Sequence, residues 1–168
     1  LAEFALSLHP EKTRLIEFGR FAAENRKRRG LGKPESFNFL GFTFICGESR
    51  RGKFLVKRKT RRARMLARLR EIKQELRRSM HQPIPKQCLW LRRVVTGYFK
   101  YHAVPTNSHA LQAFRFHVTE LWKRTLRRRG QKDRTDWERI TALAADWLPP
   151  PLIRHPWPHA RFAVKHSR

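Results

Sequence analysis

The chain predicts a mainly helical fold that begins with a short β part, and three observations predict it. Apolar residues alternate up to about residue 58, then recur at steps of three and four from residue 60 to residue 147. Prolines fall at the joints between these stretches. A short β-rich piece followed by a helical bundle satisfies all three, and no internal repeat is visible.

The elements follow in order. Leu6 and Leu8 alternate, Pro10 turns the chain, and Leu15, Ile16 and Phe18 resume as a second strand. The stretch ENRKRRGLGKP, Glu24 to Pro34, reads as a charged, glycine-containing loop. FNFLGFTFICG, Phe37 to Gly47, holds four phenylalanines and no charge in eleven residues, with Gly41 at its centre. It reads as extended chain, with Phe37, Phe39, Phe42 and Phe44 on alternating positions. GESRRG forms a hairpin loop, and KFLVKRK returns as the partner strand.

From Thr60 the period is helical. Met65, Leu69, Ile72, Leu76 and Met80 form one stripe, with Pro83 and Pro85 ending the helix. Leu91, Val94, Val95, Tyr98 and His102 mark a second helix, stopped before Pro105. Asn107 or Ser108 caps a third, with Leu111, Phe114, Val118, Leu121 and Leu126. Thr135 and Glu138 suggest a capping box for a fourth, with Trp137, Ile140, Ala144 and Trp147 on one face. Pro149, Pro150 and Pro151 forbid further helix, and the tail HPWPHARFAVKHSR is expected to be extended and loosely held. The predicted divisions are 1–58, a helical part 59–148, and a basic, proline-rich tail 149–168.

The charge narrows the function. Across 168 residues, 39 Lys and Arg oppose 13 Asp and Glu, a formal net charge of +26. Such self-repulsion is relieved by a polyanion, so nucleic acid is the expected partner. Arg50 to Arg78 contains fourteen Lys or Arg and only two acids, Glu71 and Glu75. Like charges at i,i+4 oppose a helix by a few tenths of a kcal/mol per pair, roughly, and a phosphate backbone reverses that sign. Arg50, Arg51, Lys53, Lys57, Arg58, Lys59, Arg61, Arg62, Arg64 and Arg68 are therefore candidate nucleic-acid contacts. A second cluster, KRTLRRRGQKDR, adds Arg124, Arg127, Arg128, Arg129 and Gln131, part of it ordinary charge at a helix C-terminus. Trp90 and Tyr98 read as core, whereas Tyr101, off the apolar stripe, is the candidate for stacking on a base.

Other chemistry finds little support. The eight histidines show no H-E-x-x-H pattern, and His155 and His159 lack companions at ligand spacing. No G-x-S-x-G elbow, P-loop or paired carboxylates for two metals are present, so no catalytic residue and no metal ligand is assigned. Cys46 and Cys88 stand 42 positions apart and suit a reducing compartment. No apolar run reaches the length of a membrane span, and no signal peptide is seen. A cytoplasmic, nucleoid-associated location with no membrane partner is expected. Leu1 falls inside an apolar pattern, as in a fragment.

The order of the segments carries a resemblance. LHPEKTRLIEFGRFA, FNFLGFTFICG and RRGKFLVKRKTRRARMLARLREIKQELRR, followed by WLRRVVTGYFKYHAVPTN, LWKRTLRRRGQ, WERI and WLPPPLIRHPWPHARF, resemble bacterial group II intron reverse transcriptases, the IIC type most closely. The likeness spans essentially the whole chain and implies the end of the palm (1–58) followed by the thumb, or maturase, domain. It implies that Phe39, Leu40, Gly41 and Phe42 are a primer grip, with glycine admitting a close approach. It further implies that Lys12 lies near the triphosphate of an incoming nucleotide. The partners implied are group II intron RNA and an RNA template–DNA primer duplex.

The Tyr-Ala-Asp-Asp box of that family should precede Leu1. This chain is therefore expected to be inactive as a polymerase and to bind no cofactor itself, with Mg2+ expected for the full-length enzyme. Gly130 before Gln131 departs from the family's Arg-Ser-Gln, and YHAVP replaces a more usual Tyr-Tyr-Gly. No cysteine-paired HNH endonuclease follows. The alternatives are a non-enzymatic, basic RNA-packing protein of ribosomal or nucleoid type, and a small nuclease, against which the missing carboxylate cluster argues.

Overall fold

The computed structural model describes residues 7, 9, 13–130, 135–158 and 160. Its elements are α1 (Ala22–Arg28), β1 (Phe37–Phe39), β2 (Phe42–Glu48), β3 (Phe54–Thr60), α2 (Arg62–Arg78), α3 (Ile84–His102), α4 (Ser108–Leu126) and α5 (Trp137–Trp147). The strands form one antiparallel sheet in the order β1-β2-β3. The fold is mainly α with a short β part, as the sequence predicts.

The chain divides into two compact units. One holds the residues up to Phe37 together with Ile45–Val56; the other holds Asn38–Phe44 and everything from Lys57 onward. In the first unit, residues 13–18 form no strand, and Leu15 is 99% exposed. The alternation at Leu15, Ile16 and Phe18 therefore builds no sheet edge. Phe18 instead meets Phe37 edge to face, centroids 5.0 Å apart. The expected loop from Glu24 is helical through Arg28, with Glu24 in its first turn and Arg26, Lys27 and Arg28 in its last, the arrangement the helix dipole favours. Ser49 N–H donates to Lys53 O, and Gly52 takes φ +70° to close the predicted β2–β3 hairpin loop.

The second unit owns the main core. Leu69, Ile72 and Leu76 of α2 meet Cys88, Leu91, Val95, Tyr98 and Phe99 of α3. Leu111, Phe114, Val118, Trp122 and Leu126 of α4, with Ile140 and Ala144 of α5, complete it. Tyr98 and Phe114 lie stacked, 8° apart in plane. Trp90 packs partly against this core and Tyr98 lies within it, as predicted. Fully burying one such side chain contributes about 1.5–3 kcal/mol, so this interior fixes the bundle. A buried polar chain runs through it. Trp122 Nε1–H donates to Gln87 Oε1 at 3.1 Å, and Gln87 Nε2–H donates to Ser79 O at 2.7 Å.

Several helix ends differ from expectation. α2 stops at Arg78, before either proline, and Pro83 and Pro85 instead begin α3, where a missing N–H is tolerated. Asp136, not Thr135, caps α5, its carboxylate accepting from Arg139 N–H at 2.8 Å. The start of the tail is held, with Arg154 N–H and His155 N–H both donating to Ala103 O.

Candidate nucleic-acid interface

The aromatic strip is not one continuous strand. β1 and β2 are joined by Leu40 and Gly41, at φ +46° and +78°, the two positive values a two-residue type I′ hairpin requires. Thr43 Oγ1–H donates to Asn38 Oδ1 across the base of the turn at 2.7 Å. Tyr101 O–H donates to Leu40 O at 2.7 Å, and Arg61 N–H donates to Gly41 O at 2.9 Å. The turn is thus bonded to α3 and to the residue that begins α2.

Of Phe39, Leu40, Gly41 and Phe42, which the resemblance implies as a grip, Phe39 and Leu40 are exposed, at 57% and 67%, while Phe42 is buried. Phe42 stacks on Tyr101, with centroids 5.6 Å apart, and tilts against His102. Tyr101 is half exposed, but one ring face and its hydroxyl already serve the turn. A Cβ on Gly41 would come no closer than 3.8 Å to Tyr101, so φ, rather than lack of space, selects glycine here. Burial holds His102 below the usual histidine range; its bond to Tyr98 O opposes the shift, and the Arg64 charge adds to it. Burial pushes Tyr98 up to about 12, and Thr60 opposes that shift.

A second clasp lies at the end of β3. Asn107, expected as a cap, makes no capping bond. Its Oδ1 accepts from Thr60 N–H at 2.9 Å, and its Nδ2 donates to Thr60 Oγ1 and His102 O, both at 2.8 Å. Thr106, at φ +75°, accepts from Arg58 N–H at 2.8 Å. The segment carrying Lys57, Arg58, Lys59 and Arg61 is therefore fixed to the loop between α3 and α4.

Helix α2 presents two unlike flanks. On one, Arg64, Arg68 and Glu71 line a cavity of about 550 Å³ with Leu40, Gly41, Tyr101 and His102. Here Arg68 is paired with Glu71 at 2.6 Å. On the other, Lys73 and Arg77 of α2, Arg124 of α4 and Arg128 just beyond it line a groove of about 470 Å³ together with Met80, Leu121 and Thr125. No carboxylate lines that groove, though Glu120 reaches Arg124 from outside. Lys73 and Arg77 were not singled out from the sequence. The i,i+4 spacing of 73 with 77 and of 124 with 128 was visible, but the packing of α2 on α4 was not.

The remaining candidates divide. Arg50, Arg51 and Lys53 are exposed in the hairpin loop of the first unit, where the backbone N–H groups of Arg51 and Lys53 donate to Ser49 Oγ. Arg61, Arg62 and Arg127 are exposed in the second. Arg129 is half-buried and donates to Gln82 O, a structural bond. Lys12 and Gln131 lie outside the described residues.

The start of α2 is electrostatically unfavourable by itself. Arg61, Arg62 and Arg64 crowd the positive pole of the dipole, with no acid in the first turn and no side-chain cap. An approaching anion removes that cost. Among the described residues no three His, Cys, Asp or Glu gather to hold a metal ion, and no helix is long and apolar enough to cross a membrane. Both cysteines are free, and burial pushes Cys88 up to about 11. Comparison with protein-family models, curated proteins and solved structures finds no match to the chain.

Proposed function

We propose that this chain is the nucleic-acid-binding, C-terminal part of a group II intron reverse transcriptase/maturase. The observation that carries the reading is the backbone bond from Arg61 N–H to Gly41 O, which joins the aromatic turn to the first basic helix within one compact unit. A thumb that guides a primer end needs such a rigid link. The exposed Phe39 and Leu40 back the primer strand, while Arg61, Arg62 and Arg64 take phosphates of the template–primer duplex. RNA-containing duplexes are near A-form and are held by backbone and 2′-hydroxyl contacts.

The groove of Lys73, Arg77, Arg124 and Arg128 clamps folded intron RNA. Arginine grips phosphate in two places at once, which suits it to that clamp. The RNA is then the splicing catalyst, and the protein supplies binding energy. Mg2+ belongs to the full-length polymerase; the described residues of this chain do not fit a metal site, and no step is assigned to one.

Binding to a folded group II intron RNA, compared with an equal length of ribosomal RNA over a salt series, tests the reading. Affinity for the intron RNA is expected to be higher and to fall by several log units per decade of salt, for roughly six to ten phosphates engaged. Replacing Lys73, Arg77, Arg124 and Arg128 with alanine should flatten that slope by about 0.9 for each duplex phosphate no longer neutralised. Equal binding to both RNAs would favour the RNA-packing protein instead.

A further inference from the structure

Away from the groove, α4 and α5 carry a half-exposed aromatic pair. Phe116 is 54% exposed and Trp137 is 43% exposed. Their rings lie 10° from parallel, with centroids 5.6 Å apart. Lys123 Nζ lies 4.3 Å from the centroid of the Trp137 ring. Positions 116, 123 and 127 fall within about 40° of one another around a helix of 3.6 residues per turn, so Arg127 extends the same line. Glu120 shares that side of α4, but Arg124 engages it at 2.5 Å and His117 lies 3.6 Å from it. Among the described residues, neither Lys123 nor Arg127 has a carboxylate in ion-pair contact.

The Phe116–Trp137 stack joins α4 to α5 yet leaves about half of each ring in water. The α4–α5 contact is already made by Phe114, Val118, Ile140 and Ala144, which are buried, and Asp136 already caps α5. Two large rings left half in water, beside cations that no carboxylate among the described residues pairs, match one ligand chemistry: a flat, aromatic group carrying anions on either side. An unpaired nucleobase with its flanking phosphates is such a group, and stacking on an aromatic face recognises it whatever its sequence. A base inside a duplex cannot present its face.

We propose that Phe116, backed by Trp137, is a stacking platform for an unpaired base of single-stranded RNA, with Lys123 and Arg127 on the adjoining phosphates. The platform rests on the RNA-binding reading above and adds to it a second face specific for unpaired nucleotides. Trp137 occupies one face of Phe116 and the His117 ring meets it at 69°, with centroids 5.6 Å apart, so the base seats on the face opposite Trp137.

Fluorescence anisotropy with the full chain and three probes tests this: a mixed-sequence 12-nucleotide RNA, the same strand with abasic sites, and a blunt RNA duplex. Phe116→Ala is expected to weaken binding of the single strand about tenfold, the range for removing one stacked ring. It should leave binding of the abasic strand and of the duplex unchanged. Phe116→Trp should restore binding of the single strand. An unchanged affinity for the single strand, or an equal loss on the abasic strand or duplex, overturns the platform while leaving duplex binding by the groove intact. If the wild-type chain binds none of the three probes, the broader RNA-binding reading falls, and the platform falls with it.

Discussion

Leu40 holds a left-handed backbone, φ +46°, at the tip of the β1–β2 turn, with its side chain 67% exposed. That conformation costs an L-residue about 1–2 kcal/mol, and no burial of Leu40 offsets it. Asparagine before glycine is the preferred pair for this turn. Leu40→Asn is therefore expected to stabilise the chain by about 1 kcal/mol in urea denaturation. Gly41→Ala, at φ +78°, should destabilise it by a similar amount, about 1 kcal/mol or more. If Leu40 is kept for contact with a primer strand, the Asn variant will be more stable yet bind a template–primer duplex more weakly. Unchanged binding would remove Leu40 from the interface. The sequence marked Gly41 through its place among four phenylalanines. It did not reveal the positive φ of Leu40, because leucine carries no turn signal.

Elements were legible where periodicity was strong. The stripes at Leu69, Ile72 and Leu76, at Leu91, Val95 and Tyr98, and at Leu111, Phe114 and Val118 became the core. Trp122 and Phe99, both fully buried, escaped notice because they lie beside those stripes and only packing shows how wide the apolar face is. α1 was missed because its charged run has no apolar period. The joints were legible as positions but not as roles. Asn107 was recognised as special, yet as a cap, whereas it bonds the end of β3 to the α3–α4 loop through two hydrogen bonds to Thr60 and makes a third to His102 O at the end of α3. Removing an N-cap costs about 1 kcal/mol, but a buried polar cluster left without its partner costs about 1–3 kcal/mol for each unsatisfied group. Asn107→Ala is therefore expected to lower stability by about 3 kcal/mol, read as a shift of the urea midpoint at constant m-value. A decrease of only about 1 kcal/mol would return Asn107 to the role of a simple cap.

At the scale of the whole molecule, the +26 charge sets stability and binding against each other. Repulsion among the exposed arginines of α2 and the cluster at the end of α4 opposes folding, and salt screens it over a Debye length of about 10 Å at 0.1 M. The same salt competes with phosphate for those arginines. Raising NaCl from low to moderate concentration should therefore raise the melting temperature of the free chain while lowering its affinity for RNA. Adding RNA at low salt should raise the melting temperature further, because a ligand that binds only the folded state stabilises it by mass action. The two salt trends must run in opposite directions if one set of cations is responsible for both. A melting temperature that falls with salt would mean that ion pairs such as Arg68–Glu71 and Arg124–Glu120 outweigh the repulsion. The basic helices would then be balanced without a polyanion, and the electrostatic case for nucleic acid would lose its footing.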